Sequence, residues 1–398
     1  MSTFSGFFPQ IPGISADRFL EVNRSQSRVF FLSHCHMDHM LGLQLPDPLP
    51  GPLYTSPISA VFLRHRFPQV VENVRPIEIG ETLAIRLDST ELHVTAIPAG
   101  HCPGSIMFLF ENDHKILYTG DFRLSPKDLR NILPLRDFTP DLVYLDTTFF
   151  LPHYRHFPPQ SESLAKIASL SQEWLALHPQ NVITIKLPAL YGSEFLFTEL
   201  ARQLGQKIHV QREELQSYRF LASLDDVVTA DNGTTSDTRI HACNRHGKLA
   251  CRPELDDKFI RVIRPSALRW RGLKPGDAIW RRLREAEDFS VCYSNHASYD
   301  ELEDVLCYLR PKAVRFNVVW KDDPGGAKMK DSLREICPWI GREMEADGSA
   351  GYSSGDALNF DGIVYQRTGG RKSQKLFSDE ESGDDEAVIE HLPKRVRS

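Results

Sequence analysis

The chain has no run of about 18 consecutive apolar residues, the length needed to cross a bilayer, so no membrane-spanning segment is expected. Its first residues, Met1-Ser-Thr-Phe-Ser-Gly-Phe-Phe-Pro9, lack the basic and apolar regions of a secretory signal. Cysteine is sparse: seven residues, odd in number and widely scattered, which argues against a disulfide scaffold and predicts a reduced intracellular protein. An excess of basic charge is also missing. Against 53 Asp+Glu stand 47 Lys+Arg, a net charge of −6, which taken alone speaks against a nucleic-acid partner. What is present is ordinary globular material. Of 398 residues, 41% are apolar, enough to bury a large core, and at about 150 residues per domain the length predicts two or three domains.

Along the first 150 residues, short apolar runs repeatedly end near a histidine or an aspartate. Val29–Ser33 leads to His34, His93–Pro98 to His101, Lys115–Gly120 to Asp121, and Leu142–Leu145 to Asp146. Such runs, rich in β-branched and aromatic residues, predict strands, and a sheet is a rigid support for ligating or catalytic side chains. From Ser161, the predicted cap, the pattern is helical to about His178. Strands over Asn181–Lys186, His209–Val210 and Arg239–His241, with a helix over Ser193–Gln203, predict an inserted α/β unit. A strand over Ser290–Asn295 ending at His296, a helix over Tyr299–Leu309 and a strand over Ala313–Val319 predict the return of the first domain. From about Gly341 the chain is Gly/Ser-rich and then charged, the composition of a disordered tail.

The sharpest signal is His34-Cys-His-Met-Asp-His39, three imidazoles and a carboxylate within six residues. Imidazole suits zinc, and a loop this dense in ligands can address two cations. Ala99-Gly-His-Cys-Pro-Gly104 and Thr119-Gly-Asp-Phe-Arg123 each add a ligand after a predicted strand, which a chance surface cluster would not do. A pair of cations suits phosphodiester cleavage and also thioester or lactam hydrolysis, so the ligands alone do not name the substrate. His241 and His296 are candidates to protonate a leaving oxygen.

In this order, the three motifs resemble those of the metallo-β-lactamase fold. Asp141–Phe149 (DLVYLDTTF), Ile240–Cys243 (IHAC) and Ser294–Tyr299 (SNHASY) resemble the further motifs of its β-CASP DNA nuclease branch. Ile14–Phe19 and Leu32–His36 extend the resemblance, which covers roughly residues 1–320. It implies an α/β fold, an αββα metallo-β-lactamase sandwich with an inserted α/β β-CASP domain and a disordered C-terminal tail. The implied division is 1–155 for the first part of the sandwich, 156–288 for the insert, 289–338 for the return and 339–398 for the tail.

The resemblance also implies two zinc sites. His34, His36 and His101 would form the first, with Asp121 bridging; Asp38, His39 and Asp121 would form the second, with His296 as a further ligand. Asp38, Asp121, Asp146 and His296 would be catalytic, Asp146 acting from behind a ligand or the nucleophile. Mg²⁺ or Mn²⁺ are alternative ions. Asp17 matches the family's N-terminal acidic position, a salt bridge or helix cap being the other reading. The implied activity is that of a monomeric nuclear DNA nuclease, combining 5′ exonuclease action with endonuclease action at hairpins, overhangs and single-strand/double-strand junctions. Its setting would be non-homologous end joining and V(D)J recombination, with the DNA-dependent protein kinase and the DNA ligase IV complex as partners. Other readings are an RNA-processing endonuclease, a telomeric 5′ exonuclease, a small-molecule metallohydrolase and a non-catalytic scaffold.

Three features lie outside the main motifs. His209, His241, Cys243 and Cys251 form a candidate structural zinc site, unless His241 serves the active site and the cysteines are core residues. Between Lys258 and Arg284, nine basic residues face one acidic residue, Asp277, a local +8 with Trp270 and Trp280 interleaved. Arg264, Arg269, Trp270, Arg271, Lys274 and Arg281 are thus candidates to hold nucleic acid, the alternative being a solvated face around core tryptophans. In the tail, Ser373, Ser378 and Ser382 are candidate phosphorylation sites, and Pro393-Lys-Arg-Val-Arg397 resembles a nuclear localisation signal. Residues 378–398 hold seven acidic and three basic side chains, a net −4 that leaves −2 for the rest. The overall −6 therefore averages an acidic tail with a basic strip.

Overall fold

In a computed structural model, the described residues are 2–340 apart from 88–89, 188–191, 219–220, 222–223, 233–237, 244–248, 250 and 284–286. The first sheet is parallel and runs in chain order: β1 (Ile14–Ala16), β2 (Val29–Phe31), β3 (Leu53–Thr55) and β4 (Val74–Pro76). The second begins as an antiparallel meander of β5 (Thr82–Leu87), β6 (Thr90–Pro98), β7 (Ile106–Glu111) and β8 (Lys115–Tyr118), and β9 (Leu142–Leu145) joins parallel to β8. Side chains alternate across a strand, so Phe108 and Phe110 share one face of β7, and that face meets Phe31 of β2. The ring centroids lie 5.2 and 4.9 Å from Phe31, edge to face, the arrangement the aromatic quadrupole favours. Phe4, Phe8, Tyr118 and Tyr144 complete this layer between the two sheets.

The chain then builds a third sheet from β10 (Val182–Ile185), β11 (Ile208–His209), β12 (Val228–Thr229), β13 (Ile240–His241), β14 (Ile260–Pro265), β15 (Trp280–Arg282) and β16 (Asp288–Val291). Their spatial order is β12-β11-β13-β10-β14-β16-β15, parallel except for β15, with crossover helices as parallel strands require. β17 (Ala313–Phe316) returns to the second sheet beside β9. The helices Tyr299–Leu309 and Ala327–Ile336 cover the outer face of that sheet, and Pro57–Arg66 covers the outer face of the first through Ala60, Phe62 and Leu63 against Phe30 and Leu53. The layers are thus helix, sheet, sheet, helix, with an α/β unit inserted between β9 and β17. Among the described residues no helix is long and apolar enough to cross a membrane.

Two local expectations change. The helix expected from Ser161 runs Gln160–Leu177 and is entered through Pro159, whose fixed φ suits a helix start, so Ser161 is not its cap. The strand expected over 290–295 runs Asp288–Val291 and belongs to the third sheet, paired in parallel with β14. A boundary at 288/289 would therefore cut a strand. The reason is electrostatic: Arg264 on β14 donates to both carboxylate oxygens of the buried Asp288, the shortest contact being 2.6 Å, and draws this segment into the insert. Arg264→Leu leaves that carboxylate buried and unpaired and should lower unfolding stability by about 1–3 kcal/mol. Urea denaturation checks this, with Lys274→Leu at an exposed position as a comparison expected to stay within about 0.5 kcal/mol.

Candidate metal centre

The His34–His39 loop leaves the end of β2 and is pinned on both sides. Leu32 N–H donates to Tyr54 O on β3, and Ser33 O accepts from Ile106 N on β7. Gly120, after β8, has φ +53, and a Cβ there would lie 2.6 Å from Ser33 Oγ, so only glycine lets the two loops meet. Asp17 follows β1 with φ +55, an unusual conformation for a residue with a side chain. Its carboxylate accepts from Ser33 N (2.8 Å), Ser33 Oγ (2.6 Å) and Tyr118 Oη (2.7 Å), and it lies 2.8 Å from His39 Nδ1. Asp17 is therefore a buried ion-pair and hydrogen-bonding hub rather than a helix cap.

At the centre, Asp121 Oδ2 faces the Nε2 atoms of four histidines: His39 at 3.3 Å, His34 at 3.6 Å, His101 at 3.7 Å and His296 at 4.0 Å. Each ring is oriented through its other nitrogen. His34 Nδ1 meets Ser33 Oγ at 2.9 Å, His39 Nδ1 meets Asp17, His101 Nδ1 meets Asn295 O at 2.8 Å, and His296 Nδ1 meets Asp146 Oδ2 at 2.8 Å. His36 presents Nδ1 instead, 2.9 Å from His34 Nε2 and 3.0 Å from His101 Nε2. Asp38 Oδ2 lies 3.8 Å from His39 Nε2 and accepts from Ser2 N. Every residue predicted for the two catalytic ion sites is thus in one cluster. His241 is elsewhere, beside His209 and Cys251, which removes it as a proton donor at this centre.

The rings divide electrostatically. Burial, reinforced by neighbouring imidazoles, lowers the pKa of His34, and takes His36 and His101 to about 3, keeping all three in the neutral form that ligates metals. Burial opposes charge on His39 and His296 as well, but carboxylates outweigh it. Asp121, Asp38 and Asp17 raise His39, and Asp146 with Asp121 raises His296 to about 9. The donor set fits divalent cations. His39 Nε2 is buried and, although 3.3 Å from Asp121 Oδ2, is not aligned for a hydrogen bond. Imidazoles sharing a tetrahedral ion at about 2.0 Å place their nitrogens about 3.3 Å apart, close to the spacings here. His34, His36, His101 and Asp121 form one potential ligand group, Asp121, Asp146 and His296 another.

A second group lies in the third sheet. His209 and His241 end β11 and β13, which are neighbours in register, and their Nδ1 atoms are 3.2 Å apart. Cys251 Sγ lies 3.4 Å from both His241 Nδ1 and Cys243 Sγ, too far for a disulfide. The Cys243 thiol, donating its hydrogen, lowers the pKa of Cys251, while Cys243 itself is raised by the same contact. His241 Nε2 is buried and has no hydrogen-bond partner. Two imidazoles and two thiols gathered within 4.8 Å are a donor set suited to a closed tetrahedral ion.

The basic strip is not brought together as one surface. Arg264 is committed to Asp288, Arg261 and Arg282 to Glu287, and Trp270 is a core residue 7% exposed beneath the Arg281 guanidinium. Trp270 has no free face for a base, and Glu287 and Asp288 lie just beyond the window in which the +8 was counted. Lys274 and Arg271 are exposed, and Arg269 and Arg281 partly so. Arg271 reaches the metal centre through rings: it covers Tyr154, Tyr154 packs on Phe149 at 4.8 Å, and Phe149 packs on His296 at 6.0 Å. Ser373, Ser378, Ser382 and the Pro393–Arg397 segment lie outside the described residues.

Several contributors were not among the predicted site residues. Arg123 donates to Ser294 O and Pro158 O, each at 2.9 Å, and pairs with Glu301, joining the Asp121 loop to both ends of the insert. Gly192 and Asn295 bring the third sheet against His36 and His101. Arg123 and Asn295 sit inside recognisable motifs and Gly192 in none, and the roles of all three depend on contacts more than a hundred residues apart in sequence.

Comparison with known proteins gives the class. Residues 18–178 match the beta-lactamase superfamily domain and 232–321 match the family described as DNA repair metallo-beta-lactamase. The chain belongs to the metallo-β-lactamase superfamily, in its DNA repair (β-CASP) branch. Among individual relatives, it is 33% identical to Protein artemis of Gallus gallus over 87% of this chain and 51% of that protein. It is 34% identical to Protein artemis of Homo sapiens over 85% of this chain and 52% of that protein. It is 35% identical to 5′ exonuclease Apollo of Gallus gallus, over 76% and 62%. The chain spans about half the length of the artemis proteins it matches.

If the third-sheet cluster holds an ion, Cys243→Ser and Cys251→Ser should each remove about one metal equivalent and lower the thermal midpoint by at least several degrees. Elemental analysis with calorimetry checks both. Variants as stable and as metal-rich as the parent would show that the four residues only pack.

Proposed function

We propose that this chain is a zinc-dependent DNA nuclease of double-strand break repair, acting as a 5′ exonuclease and as an endonuclease at hairpins, overhangs and single-strand/double-strand junctions. The observation that carries the reading is the focus of four imidazoles and two further carboxylates, Asp38 and Asp146, around Asp121, in a chain whose insert matches a DNA repair family. The similarity to Protein artemis and to 5′ exonuclease Apollo supports a polynucleotide substrate over a small one. His34, His36 and His101 would hold one ion, Asp38 and His39 the other, with Asp121 between them and His296 as a further ligand. Bound there, two such ions supply Lewis acidity toward a phosphate diester and bring the pKa of an attacking water toward neutrality.

The protein's own groups set the geometry. Asp146 fixes the His296 ring and the Asn295 carbonyl fixes His101, so both face Asp121 without rotating. Asp17 does the same for His39. Lys274, Arg269, Arg271 and Arg281 would contact the phosphate backbone, and the partly exposed Trp280 would be the indole that meets a base. The third-sheet cluster would hold a structural zinc ion. The reading places the protein in the nucleus, in non-homologous end joining and V(D)J recombination with the DNA-dependent protein kinase and the DNA ligase IV complex.

The full chain should cleave end-labelled single-stranded DNA and open a DNA hairpin, and an Asp38→Asn, His36→Ala double variant should lose at least about 10³-fold of both rates. Gel assays run beside matched RNA and a generic thioester decide the class. Cleavage of RNA alone or of the thioester alone would replace this reading with the corresponding one.

A further inference from the structure

The third sheet meets the metal centre at Gly192. With φ +99 this residue lies so close to His36 that a Cβ would stand 2.9 Å from the ring Nε2 and 3.4 Å from the Asn295 amide nitrogen. Gly192 N is held by the carboxylate of Glu194, at 2.9 and 3.1 Å, and Glu194 is buried at the start of the helix Glu194–Leu204. Gly192 O accepts from Asn295 Nδ2. Asn295 Oδ1 in turn accepts from Gln160 Nε2 at 2.9 Å, and Gln160 opens the helix Gln160–Leu177, which leads into the third sheet. The backbone carbonyl of the same Asn295 accepts from His101 Nδ1. One residue therefore touches a ring of the metal centre through its main chain and two separate segments of the insert through its side chain.

These two attachments are chemically separable. Removing the side-chain amide leaves the carbonyl that orients His101, and so leaves the His101 ring held. It releases the Gly192 carbonyl and one of the two bonds made by Gln160 Nε2, which also donates to Ser294 O at 3.0 Å, and so loosens the spacing between the insert and the His36 side of the centre. Resting on the DNA nuclease reading above, we infer that Asn295 is a positioning residue that fixes the insert against the metal centre and thereby the register of a polynucleotide strand between them. A small diester, which spans only the centre, has little need of that spacing, whereas a strand held by both units depends on it.

The test is Asn295→Ala in the full chain, assayed on single-stranded DNA and on bis(p-nitrophenyl) phosphate, with metal content measured in parallel. KM for DNA should rise roughly three- to tenfold, as expected for the loss of one or two hydrogen bonds, with kcat within about twofold and metal content equal to the parent. The DNA-to-diester ratio of kcat/KM should fall by the same factor. Gln160→Ala, at the start of a helix and outside the centre, should move the same ratio in the same direction by less. Equal losses on both substrates, a loss of metal, or an unmoved ratio in either folded variant would overturn the inference. A parent protein that cleaves no DNA would instead overturn the nuclease reading itself.

Discussion

The structure is organised around the placement of one carboxylate oxygen. Asp121 Oδ2 lies within 4.0 Å of imidazole nitrogens from His34, His39, His101 and His296, brought from three distant parts of the chain. No side-chain pair within one loop could achieve this. It requires two sheets packed through the Phe31, Phe108 and Phe110 layer, so that loops from β2, β6 and β8 emerge at a common edge. It also requires the insert to return the chain at His296. Gathering this many polar groups in a buried site costs desolvation free energy, which divalent cations offset when the groups serve as ligands. The partners behind the rings, Ser33, Asp17, Asn295 and Asp146, keep the Nε2 atoms aimed at one place.

The ligands themselves were legible in the sequence because they lie in dense local motifs that follow short continuous apolar runs, and such runs are a local signal. The helix over Tyr299–Leu309 was equally local, with its Ser298/Glu301 capping box. Asp17 and Asp146, which stand behind His39 and His296, were reached through the family resemblance, but the residues that tie the insert to the centre were not legible, because their partners are far away in sequence. Asn295 meets Gly192 and His101, and Arg123 meets Ser294; no spacing rule points to such pairs. The same limit explains the strand at 288–291. Its apolar pattern was visible, but its membership in the third sheet follows from Arg264 and Asp288, whose pairing is tertiary.

Charge counting misjudged the basic strip for a related reason. The window from 258 to 284 stops just before Glu287 and Asp288, the two acids that neutralise Arg261, Arg264 and Arg282. Burial then removes Trp270. Outside those pairs the strip offers exposed Arg271 and Lys274 and the partly exposed Arg269 and Arg281, and of these Arg271 is linked to His296 through Tyr154 and Phe149. A net charge of −6 is compatible with a local basic surface of that size.

Elemental analysis of Asp121→Asn beside the parent chain tests the central claim most directly. If one carboxylate joins two ion sites, the parent should carry about three equivalents of divalent metal, and the variant should fall to about one, the ion of the third-sheet cluster. A folded Asp121→Asn protein that retains the parent's full metal content would contradict the account.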